Sequence, residues 1–190
     1  MTRSAQVIRF WLDDLGPKGW YAGTPEVDAQ VRERLLPIWQ DAYEGGLGHW
    51  LTDAEGVLAY LVVTDQAPRN MFRDRAEAFL LDPLARAAAK FAIERDWDLR
   101  IDGLARQFFY LPLMHSENLV DQDRCVAAFG RRMPDAGNLL HARAHRAIIR
   151  QFGRFPYRNT ALGRDTSPAE ADFLAAGGYS ATVRALSRIA

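Results

Sequence analysis

A chain of 190 residues with 48% hydrophobic and 25% charged residues is long enough to bury its own core and has an ordinary globular make-up. Its 24 basic and 24 acidic groups cancel, yet the basic residues are arginine throughout except for Lys18 and Lys90. This composition excludes a polycationic nucleic-acid coater, a disordered acidic tail, a collagen and a disulfide-rich scaffold. No apolar secretory core is visible in the first ten residues, and no apolar run reaches the roughly 20 residues of a membrane span. Cys125 is the only cysteine, so an internal disulfide is impossible and a reducing cytoplasm is expected. Its apolar surroundings, Cys125-Val126-Ala127-Ala128-Phe129, read as a small buried hydrophobe.

In chain order the periodic segments read as helices. Ser4 is placed to cap a helix with Val7, Phe10 and Trp11 on one face, ending before Gly16-Pro17. Thr24-Pro25 is a cap followed by proline at the first helical position. Val27, Val31, Leu35, Ile38 and Trp39 then form a stripe that Pro37 should kink or interrupt and Gly45-Gly46 should end. Thr52 and Glu55 suggest a capping box before Val57, Leu58, Leu61 and Val62, with Pro68 stopping that helix. Asp82-Pro83 opens an alanine-rich helix to about Glu94, and Asp102 opens another through Leu104, Phe108 and Leu111. Helices are further expected from Asn118 to Arg131 and from Asn138 to Gln151, the second stopped by Gly153. Ser167-Pro168-Ala169-Glu170 is a second capping box, and Ser180 is placed to cap a final helix to Ile189. Seven to nine helices in antiparallel pairs make an all-α fold, expected as a single domain over residues 1–190.

Three segments fit plain helix packing poorly. Asp65, Gln66, Arg69 and Asn70 crowd one turn beside an apolar surface; the structural alternative has Arg69 bonding helix-terminal carbonyls. His115 stands two residues before Glu117, with Asp121 one turn further on, which suits an acid–base pair or helix-start capping by Ser116 or Asn118. His141 and His145 share a helix face, as do Arg146 and Arg150, and Arg154 and Arg158 flank Phe155-Pro156-Tyr157 just beyond. Guanidinium forks grip carboxylates and phosphates in a planar, two-point manner that lysine lacks. For Arg146 and Arg150 a solvated helix face is the simpler reading.

No zinc-protease, Cys-x-x-Cys, dinucleotide, P-loop or serine-hydrolase signature is present, so no metal and no cofactor are expected. Residues 1–65 carry 5 basic and 10 acidic groups, whereas residues 131–164 carry 8 arginines against Asp135 alone. A sequence pI near 6.9 nonetheless argues against nucleic acid as the main partner.

These segments resemble a known bacterial family. Phe10-Trp11, Asp65-Gln66-x-Pro68-Arg69-Asn70, Tyr110-Leu111-Pro112 leading to His115-Ser116-Glu117, and Phe152-Gly153-Arg154-Phe155-Pro156-x-Arg158-Asn159 with Leu162-Gly163-Arg164 are similar to the DUF924 family. The likeness covers about residues 5–178 and leaves 179–190 as a C-terminal helix or tail. It implies a helical fold like that of tetratricopeptide-repeat proteins, in a superhelical bundle, and no settled activity. Two positions depart from the family pattern: Ala67 stands where an aromatic is usual, and Tyr157 where histidine is usual.

The functional expectation is one cleft for a small anionic or polar molecule, with no membrane involved. Arg69, Arg154 and Arg158 would hold the anion, and Asp65, Gln66, Asn70, Tyr157 and Asn159 would orient it. His115, oriented by Glu117, would serve as acid or base, with His145 the second choice. Turnover, if any, would be a cofactor-free hydrolysis, elimination or isomerisation. The alternative is a helical scaffold that offers a groove to a peptide or protein partner, with the polar segments as internal networks.

Overall fold

The computed structural model describes residues 1–134 and 137–188. All regular structure among them is helical, in agreement with the sequence reading. Asp135 and Ile189 lie outside the described residues. Contacts group the chain into two compact units, Met1–Pro112 and Leu113–Ala190.

In the first unit, α1 (Arg3–Arg9) is capped by Thr2, whose hydroxyl accepts from the Ala5 N–H, rather than by Ser4. It runs on through a π-helical segment, Phe10–Leu15, which buries Phe10 and Trp11. α2 (Pro25–Tyr43) starts at the Thr24 cap and continues through Pro37 without interruption. α3 (Ala54–Leu61) is capped by Asp53 rather than Thr52, because Asp53 accepts the Gly56 N–H at 2.8 Å while the Thr52 hydroxyl turns back to the His49 carbonyl. Nearly every residue of α3 is buried, as expected for a helix apolar on all sides. It packs against α1 and against the alanine-rich α4 (Asp82–Ile93), where Ala85, Ala88, Ala89 and Ala92 permit close approach.

Pro68 does not stop α3. The chain widens into a π-helical turn at Val62–Gln66 and continues as Ala67–Met71. Proline fits the first turn after that widening because its missing N–H falls where the helical bonds change register. The segment opened by Asp102 is a 3-10 turn, Gly103–Phe109, not an α-helix. Phe108 fills the core, edge-on to Trp20 at 4.9 Å, and the Trp20 indole donates to the Trp11 carbonyl at 2.7 Å.

The second unit holds α5 (Leu119–Arg132), α6 (Asn138–Phe152), α7 (Pro168–Ala175) and α8 (Gly178–Ser187). Asn118 caps α5, and Gly153 ends α6 in the left-handed conformation at φ 70°. α6 packs against both α5 and α8. Ser180 falls inside α8, which begins after Gly177, also left-handed at φ 98°. Ile148, Ile149 and Phe155 form an apolar cluster, joined by Phe152, Phe173 and Tyr179.

Candidate functional site

The first polar segment lies wholly in the first unit. The π-turn rotates Asp65 and Gln66 inward, and both are buried; the Gln66 amide donates to the Asp65 carboxylate. Arg69 donates to the Asp65 carbonyl and, through Nη2, to both oxygens of Asp82 at 3.0 and 3.1 Å. Its guanidinium thus joins the end of the widened turn to the start of α4. Asn70 Nδ2 donates to Asp28 Oδ1 at 2.8 Å, and Arg73 grips the same carboxylate at 2.8 and 2.9 Å. Burial pushes the Asp28 carboxyl up, but the bonds from Arg73 and Asn70 outweigh it and hold the group below its usual range.

The other two segments meet in the second unit. Cys125 and Phe129 on α5 are buried, and burial pushes the Cys125 thiol well above its usual range, so it is unreactive as a nucleophile. Gln122, next to them, donates to the Met114 and Ser116 carbonyls at 2.7 Å each and ties down the turn that bears His115. From there the His115 ring lies 6.4 Å from that of His145. His145 projects from α6 and packs edge-on against Phe155 at 5.4 Å and obliquely against Tyr179 at 4.7 Å. Tyr157 stacks on Phe155 at 5.3 Å with 40% of its surface exposed, and the Arg158 guanidinium covers the Phe155 ring at 4.7 Å. His141 shares a hydrogen bond of 2.6 Å with the Tyr179 hydroxyl.

The protonation of this cluster follows from its packing. His145 Nδ1 is 2.9 Å from the His141 carbonyl, which can only accept, so Nδ1 carries the proton and Nε2 a lone pair. Burial drives the His145 pKa down to about 3; the field of His115, Arg158 and His141 adds to this, and the bond to the His141 carbonyl only partly opposes it. The ring is therefore neutral at pH 7 although part of the residue surface is accessible. Burial also raises the Tyr179 hydroxyl to about 12, so it stays a phenol.

Glu117 and Arg154 serve the loop around this cluster. Glu117 accepts from the Phe155 N–H at 2.9 Å and takes both arms of Arg164 at 2.9 Å each. Burial raises its pKa, but Arg164 and the Phe155 N–H prevail and hold it below the usual range. Arg154 takes both oxygens of Glu170 at 2.6 and 2.8 Å and the Asp165 carbonyl at 2.8 Å. The Arg154 bonds, with the N–H of Ser167, hold the Glu170 carboxyl down at about 2. Asn159 is 1% exposed, with Nδ2 on the Thr166 hydroxyl at 3.3 Å; its Oδ1 has no partner among the described residues.

The structure thus gathers His145, Tyr157 and Arg158 around Phe155, with His115 beside His145 and with Glu117, Arg154 and Asn159 supporting the loop. In the first unit Asp65, Gln66 and Arg69 are linked to one another and to Asp82, while Asn70 joins Asp28 and Arg73. Tyr179, Arg164 and Glu170 are the participants that sequence reasoning left out of the site. Glu170 was legible only as a capping-box residue, and nothing local marked Tyr179. Among the described residues no group of three or more His, Cys, Asp or Glu is placed to hold a metal ion, and no helix is long and apolar enough to cross a membrane.

The fold and this cluster define an all-helical protein whose second unit carries a histidine, tyrosine and arginine constellation. Residues 7–178 match the family described as "Bacterial protein of unknown function (DUF924)", and the chain belongs to that family. Among solved structures, a protein of unknown function from Agrobacterium tumefaciens is similar at 37% identity and a TM-score of 0.85. That similarity covers 90% of this chain and 96% of the other. No curated protein matches the chain.

Proposed function

We propose that the second unit binds a small anion that also carries an O–H or N–H donor, such as a hydroxy acid or a hydrogen phosphate. The observation that supports this reading is His145, a neutral imidazole with its N–H fixed on the His141 carbonyl and its lone pair on Nε2, in the field of Arg158 and two other histidines. Nε2 accepts the ligand's donor, Arg158 balances its negative charge, and Tyr157 covers it with an exposed ring. A base whose pKa is about 3 is too weak to remove a proton at neutral pH, so His145 recognises and His115 is the residue to carry any proton transfer. Arg154 and Arg164, which ion-pair with Glu170 and Glu117, maintain the loop around the ligand.

The test is an NMR titration of the histidine ring protons with inorganic phosphate and glycolate, with acetate as the donor-free control. Phosphate or glycolate should shift the His145 and His115 signals while His145 stays neutral, because a donor on Nε2 favours the unprotonated ring, and acetate should shift them weakly. Arg158→Gln should remove the response; because Arg158 is buried, Tyr157→Ala at the exposed position provides the second variant. Unmoved His145 signals at millimolar ligand would reject the reading.

A helical scaffold for a peptide partner remains the second reading, favoured by the internal pairing of Arg69, Arg154 and Arg164. Under that reading, His145→Gln would lower stability and leave small anions without effect.

A further inference from the structure

The outer face of the α5–α6 pair carries a concentration of arginines that the candidate site does not use. The two helices run antiparallel: Asp123 of α5 meets Arg146 and Arg150 of α6, while Gly130 lies against Leu139 near the start of α6. Arg146 Nη1 and Arg150 Nη2 are 3.1 and 3.7 Å from the same Asp123 oxygen, so one carboxylate answers two guanidinium groups. Arg143 follows Leu139 by four residues and precedes Arg146 and Arg150 by three and seven, which puts it in the same row. Arg143 is exposed, as are Arg124 and Arg131 along α5, and among the described residues none of these three forms an ion pair. Asp123 is the single exposed acidic residue of the two helices, since Asp121 is buried and bonded to Ser116 and α6 has none. His145 points the other way, about 200° round the helix axis from Arg143, and packs on Phe155 and Tyr179.

A row of guanidinium groups with one shared counter-charge is complementary to an anionic surface. Between Arg143 and Arg150 the row spans about 10 Å, at 1.5 Å per residue. Carboxylates three, four and seven apart on another α-helix repeat with the same rise, so a helix laid along α6 meets each arginine in turn. Ala127 and Gly130, both exposed on α5, keep the neighbouring surface low and let a partner's backbone approach. No phenylalanine, tyrosine or tryptophan is exposed on either helix, so a nucleic-acid strand would find charge here without a stacking platform. We propose that this face docks an acidic α-helix of a protein partner. Arg143, Arg146 and Arg150 take its carboxylates, Arg124 and Arg131 add charge at the flank, and Asp123 holds the Arg146 guanidinium in place beforehand.

The probe is an alanine-based peptide of about 15 residues, long enough to be helical, with glutamate at every third or fourth position. The controls are the same peptide with glutamine for glutamate and an oligothymidylate of equal charge. The glutamate peptide should shift the backbone amides of Ala127, Gly130 and Arg143 and leave the His145 ring signals unmoved. Both controls should bind at least about tenfold more weakly. Arg131→Glu combined with Arg143→Glu should cost about tenfold or more, because each reversal removes an attraction and adds a repulsion. Arg184→Glu, an exposed reversal on α8, should cost less than about twofold. All three positions are exposed, so unchanged thermal unfolding of the variants establishes that the loss is one of binding. Absence of binding, equal affinity for the glutamine peptide, an equal loss in Arg184→Glu, or wild-type affinity in the folded double variant would each overturn the proposal. Tighter binding of the oligothymidylate would overturn it in favour of nucleic acid.

Discussion

At His145 the nitrogen that faces the backbone decides what the other can do. The His141 carbonyl takes the Nδ1 proton, burial removes the option of charge, and Nε2 is left as an acceptor. This gives a direct expectation for nitrogen-detected NMR. Between pH 8 and pH 5 the His145 ring should hold a single neutral form protonated at Nδ1, with no titration until about pH 3. A midpoint near the ordinary value of about 6.5 in the ligand-free protein would show the ring to be solvated instead. The spacing of His141 and His145 marked this helix face in the sequence, since residues four apart share a side. Their tyrosine partner was not legible: Tyr179 reaches them only because α8 packs on α6, a tertiary fact with no local trace. The two departures from the family pattern differ in consequence. Ala67 is fully buried in the turn after the π-segment, whereas Tyr157 keeps an exposed aromatic ring at the candidate site.

Helix starts and stops were read well where a side chain and the backbone speak to each other locally. Thr24, Asn118, Gly153 and the Ser167–Glu170 box all act where the sequence puts them. Ser4 and Thr52 are one or two residues off because a neighbouring side chain makes the cap instead: Thr2 accepts the Ala5 N–H and Asp53 the Gly56 N–H. The two π-segments escaped sequence reading for a different reason. An i to i+5 turn has no composition of its own and is stabilised by the packing of the flanking helices. α3 offers a sharp test of such packing at Gly56. Helix propensity alone favours alanine there by about 1 kcal/mol. A methyl group would, however, lie 2.1 Å from the Trp50 carbonyl oxygen, a backbone atom that cannot turn aside. Gly56→Ala should therefore destabilise by about 1–3 kcal/mol in denaturant unfolding, the range for overpacking. A stabilised variant would mean that the Gly48–Trp50 turn yields freely.

Over the whole molecule the zero net charge conceals groups whose protonation differs between the folded and unfolded chain. His145 has a pKa of about 3 when folded and about 6.5 when unfolded, so between those values the unfolded chain binds a proton that the folded one refuses. More protons on the unfolded side make stability rise with pH, hence fall on acidification, at up to about 1.4 kcal/mol per pH unit. Glu117 and Glu170 act in the same direction but lower on the scale. Their folded pKa values are depressed, so their stabilisation is present above the usual carboxylate value near 4.5 and is lost as pH falls, for Glu170 toward about 2. Both carboxylates anchor the loop that carries Phe155, Tyr157 and Arg158. Acid unfolding is expected to show two stages when denaturant midpoints are measured from pH 7 to pH 3. The first stage, from about pH 6.5 to 4.5, should vanish in His145→Gln. The second, below about pH 4.5, should persist in that variant and become shallower in Glu170→Gln. A flat wild-type profile between pH 6.5 and 4.5 would remove the neutral imidazole, and with it the acceptor on which the proposed anion recognition rests.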